Sequence, residues 1–133
     1  AIRHGVDDRI NWLQTTYLDG ISGTPNVIVS NPPYISDAEI ASLPPEVRNF
    51  EPRIAIVSGP DGLDAIRALL EITAHRMVPG GHLVMEFGMG QLEKIRDAVR
   101  GYRQLEVQRI RSDLQGIPRV IVIKRGAVSI EVS

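Results

Sequence analysis

The chain alternates between short apolar runs of strand length and longer segments that carry a helical apolar stripe. Val27-Ile28-Val29 is a continuous β-branched run of the kind that parallel sheets bury on both faces. Residues 83–87 repeat this signal, and two further strand-like segments span residues 105–111 and 120–124. Residues 10–13 give a shorter strand signal. These runs predict several strands, most of them buried in one sheet.

Two segments between these strands have apolar residues three or four positions apart, which is the spacing of one helix face. The first stripe consists of Leu63, Ile66, Leu70, Ala74 and Met77, and the second of Leu92, Ile95, Val99 and Tyr102. We expect Asp61 to cap the first helix and Pro79-Gly80-Gly81 to end it. The order strand, helix, strand, helix, strand, strand predicts an α/β fold. Its sheet is mainly parallel, with an antiparallel hairpin at the carboxyl terminus.

Composition limits the possible functions. The 133 residues are enough for one domain with a core, and the absence of cysteine excludes disulfides and thiolate metal sites. The three histidines have no metal spacing, so we expect no metal. The net charge of -1 disfavours nucleic acid as a partner, and no apolar run approaches twenty residues. We therefore expect a cytoplasmic protein without a membrane partner.

The tetrapeptide Asn31-Pro32-Pro33-Tyr34 follows the strand at Val29-Ser30. In open α/β sheets, ligands bind beyond the carboxyl ends of the strands, which is where this tetrapeptide lies. Two consecutive prolines lock the backbone and leave the Pro32 carbonyl without a sheet partner. The sequence therefore places two rigidly held oxygen acceptors and one aromatic ring around a single point. The alternative is that the tetrapeptide is only a rigid turn that ends a strand.

These residue types suit a planar substrate with an NH2 group. An amide nitrogen is a poor nucleophile while its lone pair is delocalised into the neighbouring π system. The Asn31 side-chain oxygen and the Pro32 carbonyl can each accept one hydrogen, which orients the nitrogen lone pair toward an incoming methyl group. The Tyr34 ring can stack on the flat group and exclude water.

Several motifs of the sequence resemble those of a known family. The segment from Ser30 to Ile35 resembles the signature of class I amino-methyltransferases, and the flanking segments narrow the resemblance to the HemK/PrmC-type protein-(glutamine-N5) methyltransferases. The segments that carry it are Phe50-Glu51-Pro52-Arg53 with Ala55, Gly59 to Leu63, Gly80-Gly81, Glu86-Phe87-Gly88 and Asp113 to Arg119. The resemblance spans residues 3–125. Members of this family modify the Gln of the Gly-Gly-Gln motif in peptide-chain release factors.

The resemblance implies roles for particular residues. Asn31 and Pro32 would be the catalytic pair that binds the glutamine amide. The substrate-binding set would be Asn31, Pro32, Pro33, Tyr34, Phe50 and Glu51. Glu51 and Arg53 can equally form a local ion pair that only fixes the loop. The cofactor implied is S-adenosylmethionine, with Thr16 and Asn31 as its contacts. Thr16 stands where the family often has an acidic residue near the cofactor adenine.

The chain also departs from the family pattern, because it has no glycine-rich turn after a first strand and no acidic residue after a second. The resemblance therefore implies that residues 1–125 are the carboxyl-terminal part of a Rossmann-like class I methyltransferase domain whose first strands are missing. Residues 126–133 are expected to be a flexible tail. The strand at residues 27–30 would have lost a neighbour. We expect its edge to pair between chains in a homo-oligomer, or to be covered by residues 1–20.

Two alternative functions remain open. Asn-Pro-Pro-Tyr also occurs in adenine-N6 methyltransferases, which act on DNA or RNA and need base flipping and a positive surface. The other alternative is a non-catalytic fragment that only binds a partner. For the isolated chain we expect no catalytic activity, since no remaining loop can hold the cofactor. For a longer parent protein we expect methylation of the release-factor glutamine.

Overall fold

The computed structural model describes residues 1–127 and contains one four-stranded sheet. The strands are β1 (Val27–Ser30), β2 (His82–Glu86), β3 (Leu105–Ser112) and β4 (Pro118–Arg125), in the spatial order β1-β2-β4-β3. β1 pairs with β2 in parallel, whereas β2 with β4 and β3 with β4 pair antiparallel. The predicted α/β class and the carboxyl-terminal hairpin are confirmed. The sheet is less parallel than expected, because only one of its three strand pairs is parallel.

Four α-helices connect these strands. They are α1 (Pro45–Phe50), α2 (Arg53–Ile56), α3 (Asp64–Arg76) and α4 (Leu92–Arg100). α3 links β1 to β2 after the short helices α1 and α2, and α4 links β2 to β3. Helix α3 begins three residues after Asp61, which therefore is not its cap. The Ser58 hydroxyl instead accepts a hydrogen bond of 2.8 Å from the Ala65 amide in the first turn.

The core lies between one face of the sheet and helices α3 and α4. Both predicted apolar stripes point into it: Leu70 and Ile95 are fully buried, and Val99 is 4% exposed. From the sheet, alternate residues of β2 and β4 contribute Leu83, Met85, Ile121 and Ile123. Burial of such side chains contributes about 1.5–3 kcal/mol each, so this layer supplies most of the stability.

On the opposite face of the sheet, the side chains of β1 are exposed among residues 1–127. Val27 is 58% exposed and Val29 is 76% exposed, while Ile28 between them packs against the core. The prediction that this run is buried on both faces is therefore wrong. Successive side chains of a strand point to opposite faces, and α3 and α4 lie on only one of them.

The amino-terminal segment differs from prediction. Residues 10–13 form no strand, and Trp12 and Leu13 are 79% and 66% exposed. A strand needs a neighbour to bond its amides and carbonyls, and within residues 1–127 no strand pairs with this segment. The segment is held instead through Arg76 of α3, whose guanidinium donates to the carbonyls of Leu18 and Ile21 at 2.8 and 2.6 Å.

The free edge of β1 remains unpaired within the described residues, since β1 is an outer strand whose only partner is β2. Residues 1–20 form no strand along this edge, but Tyr17 and Leu18 line a small cavity together with Ile28 and Val29, so this part of the chain lies near β1 without pairing with it. Pairing between two chains stays a prediction. Of the expected tail at 126–133, residues 128–133 lie outside the described part. The Gly126 amide at its start donates to the Gln104 carbonyl at 2.7 Å.

Candidate functional site

The tetrapeptide Asn31 to Tyr34 leaves the sheet at the carboxyl end of β1, beside the end of β2. Pro32 is buried, and Asn31 is exposed directly after the last strand residue. Within residues 1–127, no hydrogen bond engages the Asn31 side chain or the Pro32 carbonyl. The fold therefore leaves two oxygen acceptors free next to each other in sequence, as the pair of prolines predicts.

The chain is fixed again immediately after this loop. The Ile35 amide donates to the Ile56 carbonyl, and the Ser58 amide donates to the Ile35 carbonyl, both at 2.9 Å. These bonds make a short parallel bridge between Ile35 and Val57. The loop is thus clamped by β1 on one side and by this bridge on the other, which limits how far the acceptors can move.

A capping box lies just beyond the bridge. Glu39 accepts hydrogen bonds from the Ser36 hydroxyl at 2.6 Å and from the Ser36 amide at 2.9 Å. The Ser36 hydroxyl is the main cause, and the Ser36 amide a further one, of a pKa for Glu39 below its usual value. The carboxylate form therefore stabilises the start of the 3₁₀ helix Asp37–Ser42.

Sequence reasoning missed one residue that contacts the loop, Gln91. Its side-chain Nε2 donates to the Tyr34 carbonyl at 2.9 Å and to the Gly62 carbonyl at 3.3 Å. Its Oε1 accepts from the Gly88 amide at 2.9 Å. The available signal was a polar residue at the cap position of α4, after the turn at residues 88–90, where side chains often bond free backbone groups.

A cavity of about 330 Å³ opens beside the tetrapeptide. All four tetrapeptide residues line it, and the rest of its wall is apolar: Ile35, Leu43, Val47, Ala55 and Ile56. This combination of an apolar wall with few polar groups is typical of small ligand pockets, and the volume is at the lower end of their range. The cavity suits a short, flat, uncharged group better than an ion.

The two other predicted substrate residues lie away from this cavity. Phe50 is 84% exposed at the end of α1, and Glu51 is exposed after it. Neither lines the cavity, so their contact with a substrate stays a prediction. The predicted alternative, an ion pair between Glu51 and Arg53, is wrong: Arg53 contacts the Asp37 carboxylate at 2.8 Å.

The predicted cofactor residues do not form a cofactor site by themselves. Thr16 is exposed, and the nearest cavity of its segment, about 220 Å³ beside Tyr17 and Leu18, includes neither Thr16 nor Asn31. The glycine turn after β2 offers no cradle either. A Cβ on Gly88 would lie 2.9 Å from the Gln91 Oε1, so protein atoms already occupy that space. The described residues alone therefore do not form a site that fits S-adenosylmethionine.

A second, more polar cavity of about 510 Å³ lies on the other side of Tyr34. Its charged lining residues are Glu39, Asp61, Lys94 and Arg119. Asp61 is paired with Arg67 at 2.5 Å, and this partner lowers the pKa of Asp61. Arg119 contacts Asp113 at 3.3 Å. Two of these four charges, those of Asp61 and Arg119, are thus balanced by an oppositely charged neighbour.

Glu86 lies at the end of β2, close in the sheet to the end of β1. It is partly exposed, and within the described residues no hydrogen bond joins its carboxylate to the Asn31 loop. Residues 1–127 contain no cluster of His, Cys, Asp or Glu that could hold a metal ion. No helix in the same range is long and apolar enough to cross a membrane.

The chain is similar to several curated proteins, although no protein-family model matches it. It is 39% identical over 125 residues to a release factor glutamine methyltransferase of Bradyrhizobium diazoefficiens, covering 94% of the chain and 42% of that protein. A protein with the same name from Nitratidesulfovibrio vulgaris is 38% identical over 128 residues, with coverage of 94% and 43%. One from Geobacter sulfurreducens is 47% identical over 96 residues, with coverage of 71% and 33%.

These matches agree with the fold. An open, mixed α/β sheet of four strands is what part of a class I methyltransferase domain contains, and the relatives are methyltransferases. The chain spans about two fifths of the length of the first two relatives. The chain matches less than half of the length of these relatives. By sequence, it therefore belongs, as a part, to the release factor glutamine methyltransferase family.

Proposed function

We propose that this chain forms the acceptor half of an enzyme that methylates the side-chain amide of glutamine in the Gly-Gly-Gln motif of peptide-chain release factors. The observation that carries the proposal is the pair of free acceptors at Asn31 and Pro32, held at the mouth of an apolar cavity. The names of the relatives support this choice of substrate.

The chemistry follows from the two acceptors. A primary amide carries two N–H donors, and its nitrogen lone pair is available for bond formation only when it is turned out of conjugation. Acceptance of one hydrogen by the Asn31 side chain and the other by the Pro32 carbonyl fixes the nitrogen in that orientation. Both oxygens also favour the positive charge that develops on the nitrogen. A strong general base is not needed before this step.

The other residues that line the cavity favour a substrate whose methylated group is an uncharged amide at the end of a side chain. Pro33, Tyr34 and Val47 line the cavity, and contact with them would shield a bound amide from water and strengthen its two hydrogen bonds. A charged carboxylate would be repelled by the Pro32 carbonyl, which can only accept, and could bind only the NH2 group of Asn31 if that side chain turned round. The site therefore selects the glutamine amide over glutamate by repulsion as well as by hydrogen bonding.

The methyl donor proposed for the whole enzyme is S-adenosylmethionine, which supplies an electrophilic methyl group. Since the residues present do not form its site, we expect the isolated chain to be inactive. Thr16 and Asn31 stay the proposed contacts of this chain with the donor.

The test uses a hybrid enzyme in which this chain replaces the matching 125 residues of the Bradyrhizobium diazoefficiens protein. We expect the hybrid to methylate a Gly-Gly-Gln peptide, with mass spectrometry placing the methyl group on the Gln side chain. A folded hybrid that binds S-adenosylmethionine yet methylates only adenine in DNA or RNA would contradict the proposal. Methylation of neither substrate would favour a partner-binding role.

A further inference from the structure

Three backbone segments meet at the side chain of Gln91. Its amide nitrogen contacts the carbonyls of Tyr34 and Gly62, and its amide oxygen contacts the Gly88 amide. A carboxamide has two N–H donors and one oxygen, so all of its bonding groups are engaged. The same side chain thus joins the tetrapeptide loop, the loop before α3 and the turn after β2.

The surroundings leave this side chain little freedom. A Cβ on Gly62 would lie 2.3 Å from the Tyr34 carbonyl oxygen and 2.8 Å from the Gln91 Nε2. A Cβ on Gly88 would lie 3.0 Å from the Tyr34 ring carbon Cδ2. The Tyr34 backbone and ring are therefore packed directly against two glycines, and larger residues at those positions would displace them.

The contact lies two residues from the free acceptor at Pro32. The Ile35–Val57 bridge fixes the chain after Tyr34, and β1 fixes it before Asn31. Between these anchors, the hydrogen bond from Gln91 is the one side-chain hydrogen bond to the loop backbone among residues 1–127. A shift of the Tyr34 peptide would move the Pro32 carbonyl with it, because Pro33 has little rotational freedom.

We propose that Gln91 is a positioning residue for the amide site: by holding the Tyr34 carbonyl, it sets the place of the Pro32 acceptor. This inference rests on the proposed function. Gln91 acts through the loop and does not line the apolar cavity itself. A misplacement of about 1 Å at such a site can lower the rate by about a hundredfold.

The experiment compares Gln91→Met and Gln91→Glu in the hybrid enzyme, with Gln108→Glu on the exposed side of β3 as the matched control. We expect kcat for the Gly-Gly-Gln peptide to fall by about tenfold to about a hundredfold in both Gln91 variants at neutral pH. The control should stay within about twofold of the parent hybrid, as is usual for exposed positions. Rates are compared at a temperature at which every protein is folded.

The pH profile separates positioning from a loss of structure. In Gln91→Glu the new carboxylate faces two carbonyl oxygens, which favours its protonated form, and that form can again donate to Tyr34. The activity of this variant relative to the parent should therefore recover as the pH falls from about 8 to about 5. Gln91→Met has no proton to donate and should show no recovery. A Gln91→Met enzyme with unchanged kcat would overturn the inference.

A measurement on the isolated chain does not depend on activity. By NMR, the Gly88 amide should exchange with solvent more slowly than the exposed Gly90 amide, and this protection should be lost in Gln91→Met. Equal exchange of the two amides in the unaltered chain would also overturn the inference. An inactive parent hybrid with a protected Gly88 would instead count against the proposed function alone.

Discussion

The amide-site loop and the amino-terminal segment are both irregular, yet they are held very differently. Residues 31–34 lie between β1 and the Ile35–Val57 bridge, and the Gln91 side chain donates a hydrogen bond to the Tyr34 carbonyl. None of residues 1–15 belongs to the buried core cluster, and Trp12 and Leu13 are largely exposed. The sequence predicts a rigid tetrapeptide in the first region and a strand at residues 10–13 in the second. The difference shows that irregular backbone is fixed when neighbouring segments satisfy its amides and carbonyls, and apolar residues alone do not fix it.

The largest effect should come from the acceptor on the loop. Asn31→Ala in the hybrid enzyme should lower kcat/KM for the Gly-Gly-Gln peptide by at least about a hundredfold, because one of two groups that orient the amide is removed. The thermal midpoint should hardly change, since this side chain is exposed and has no hydrogen bond in the described structure. Steady-state kinetics measures the effect.

Asn11→Ala is the matched control, since Asn11 is an exposed asparagine of the amino-terminal segment. It should leave kcat/KM within about twofold, as surface substitutions usually do. An equal loss of activity in the two variants would remove the functional contrast between the regions.

The same contrast should appear in stability. Leu70→Ala opens a cavity in the fully buried core and should lower the free energy of unfolding by about 2–5 kcal/mol. Leu13→Ala, at a position that is 66% exposed, should cost less than about 0.5 kcal/mol. Urea unfolding followed by circular dichroism measures both. A large loss at Leu13 would mean that the amino-terminal segment packs on the domain in solution.

A smaller, pH-dependent effect is expected just after the loop. The pKa of Glu39 is lowered in the folded chain, so its carboxylate stabilises the fold above its usual pKa of about 4.5, and this contribution disappears as the pH falls below that value. Glu39→Gln should therefore lower the thermal midpoint near neutral pH and match the parent in acid. Exposed Glu46→Gln on α1 is the control. A constant difference between parent and Glu39→Gln across the titration would contradict the role of the capping box.

The smallest effect concerns the amino-terminal segment itself. Trp12, the one tryptophan of the chain, is 79% exposed, so its fluorescence should be strongly quenched by acrylamide and nearly unchanged on unfolding. Two chains that pair along the β1 edge would change the emission and quenching of Trp12 with protein concentration if Trp12 lay in the contact. Protected, blue-shifted emission at every concentration would show that the segment is buried.

Sequence reasoning was accurate where a pattern repeats and weak where a single contact decides. The stripe through Ile66 and Leu70 and the hairpin of β3 and β4 follow from periodicity, and the structure confirms them. The exposed Val29 and the missing strand at residues 10–13 could not be foreseen, because both depend on which neighbouring layers exist. The tetrapeptide could be predicted as a candidate site from its own residue types. Gln91 could not, because its partners Tyr34 and Gly62 are 57 and 29 residues away.

If this chain alone already forms the amide-binding half of the site, it should bind a Gly-Gly-Gln peptide by itself. The most direct test is an NMR titration of the isolated chain with a Gly-Gly-Gln peptide and with a matched Gly-Gly-Glu peptide. We expect the Gly-Gly-Gln peptide to shift the signals of the Asn31 side-chain amide and of cavity residues such as Ile35 and Val47, but not the Trp12 indole. The Gly-Gly-Glu peptide should cause much smaller shifts. Equal responses to the two peptides, or shifts that avoid Asn31, would contradict this expectation.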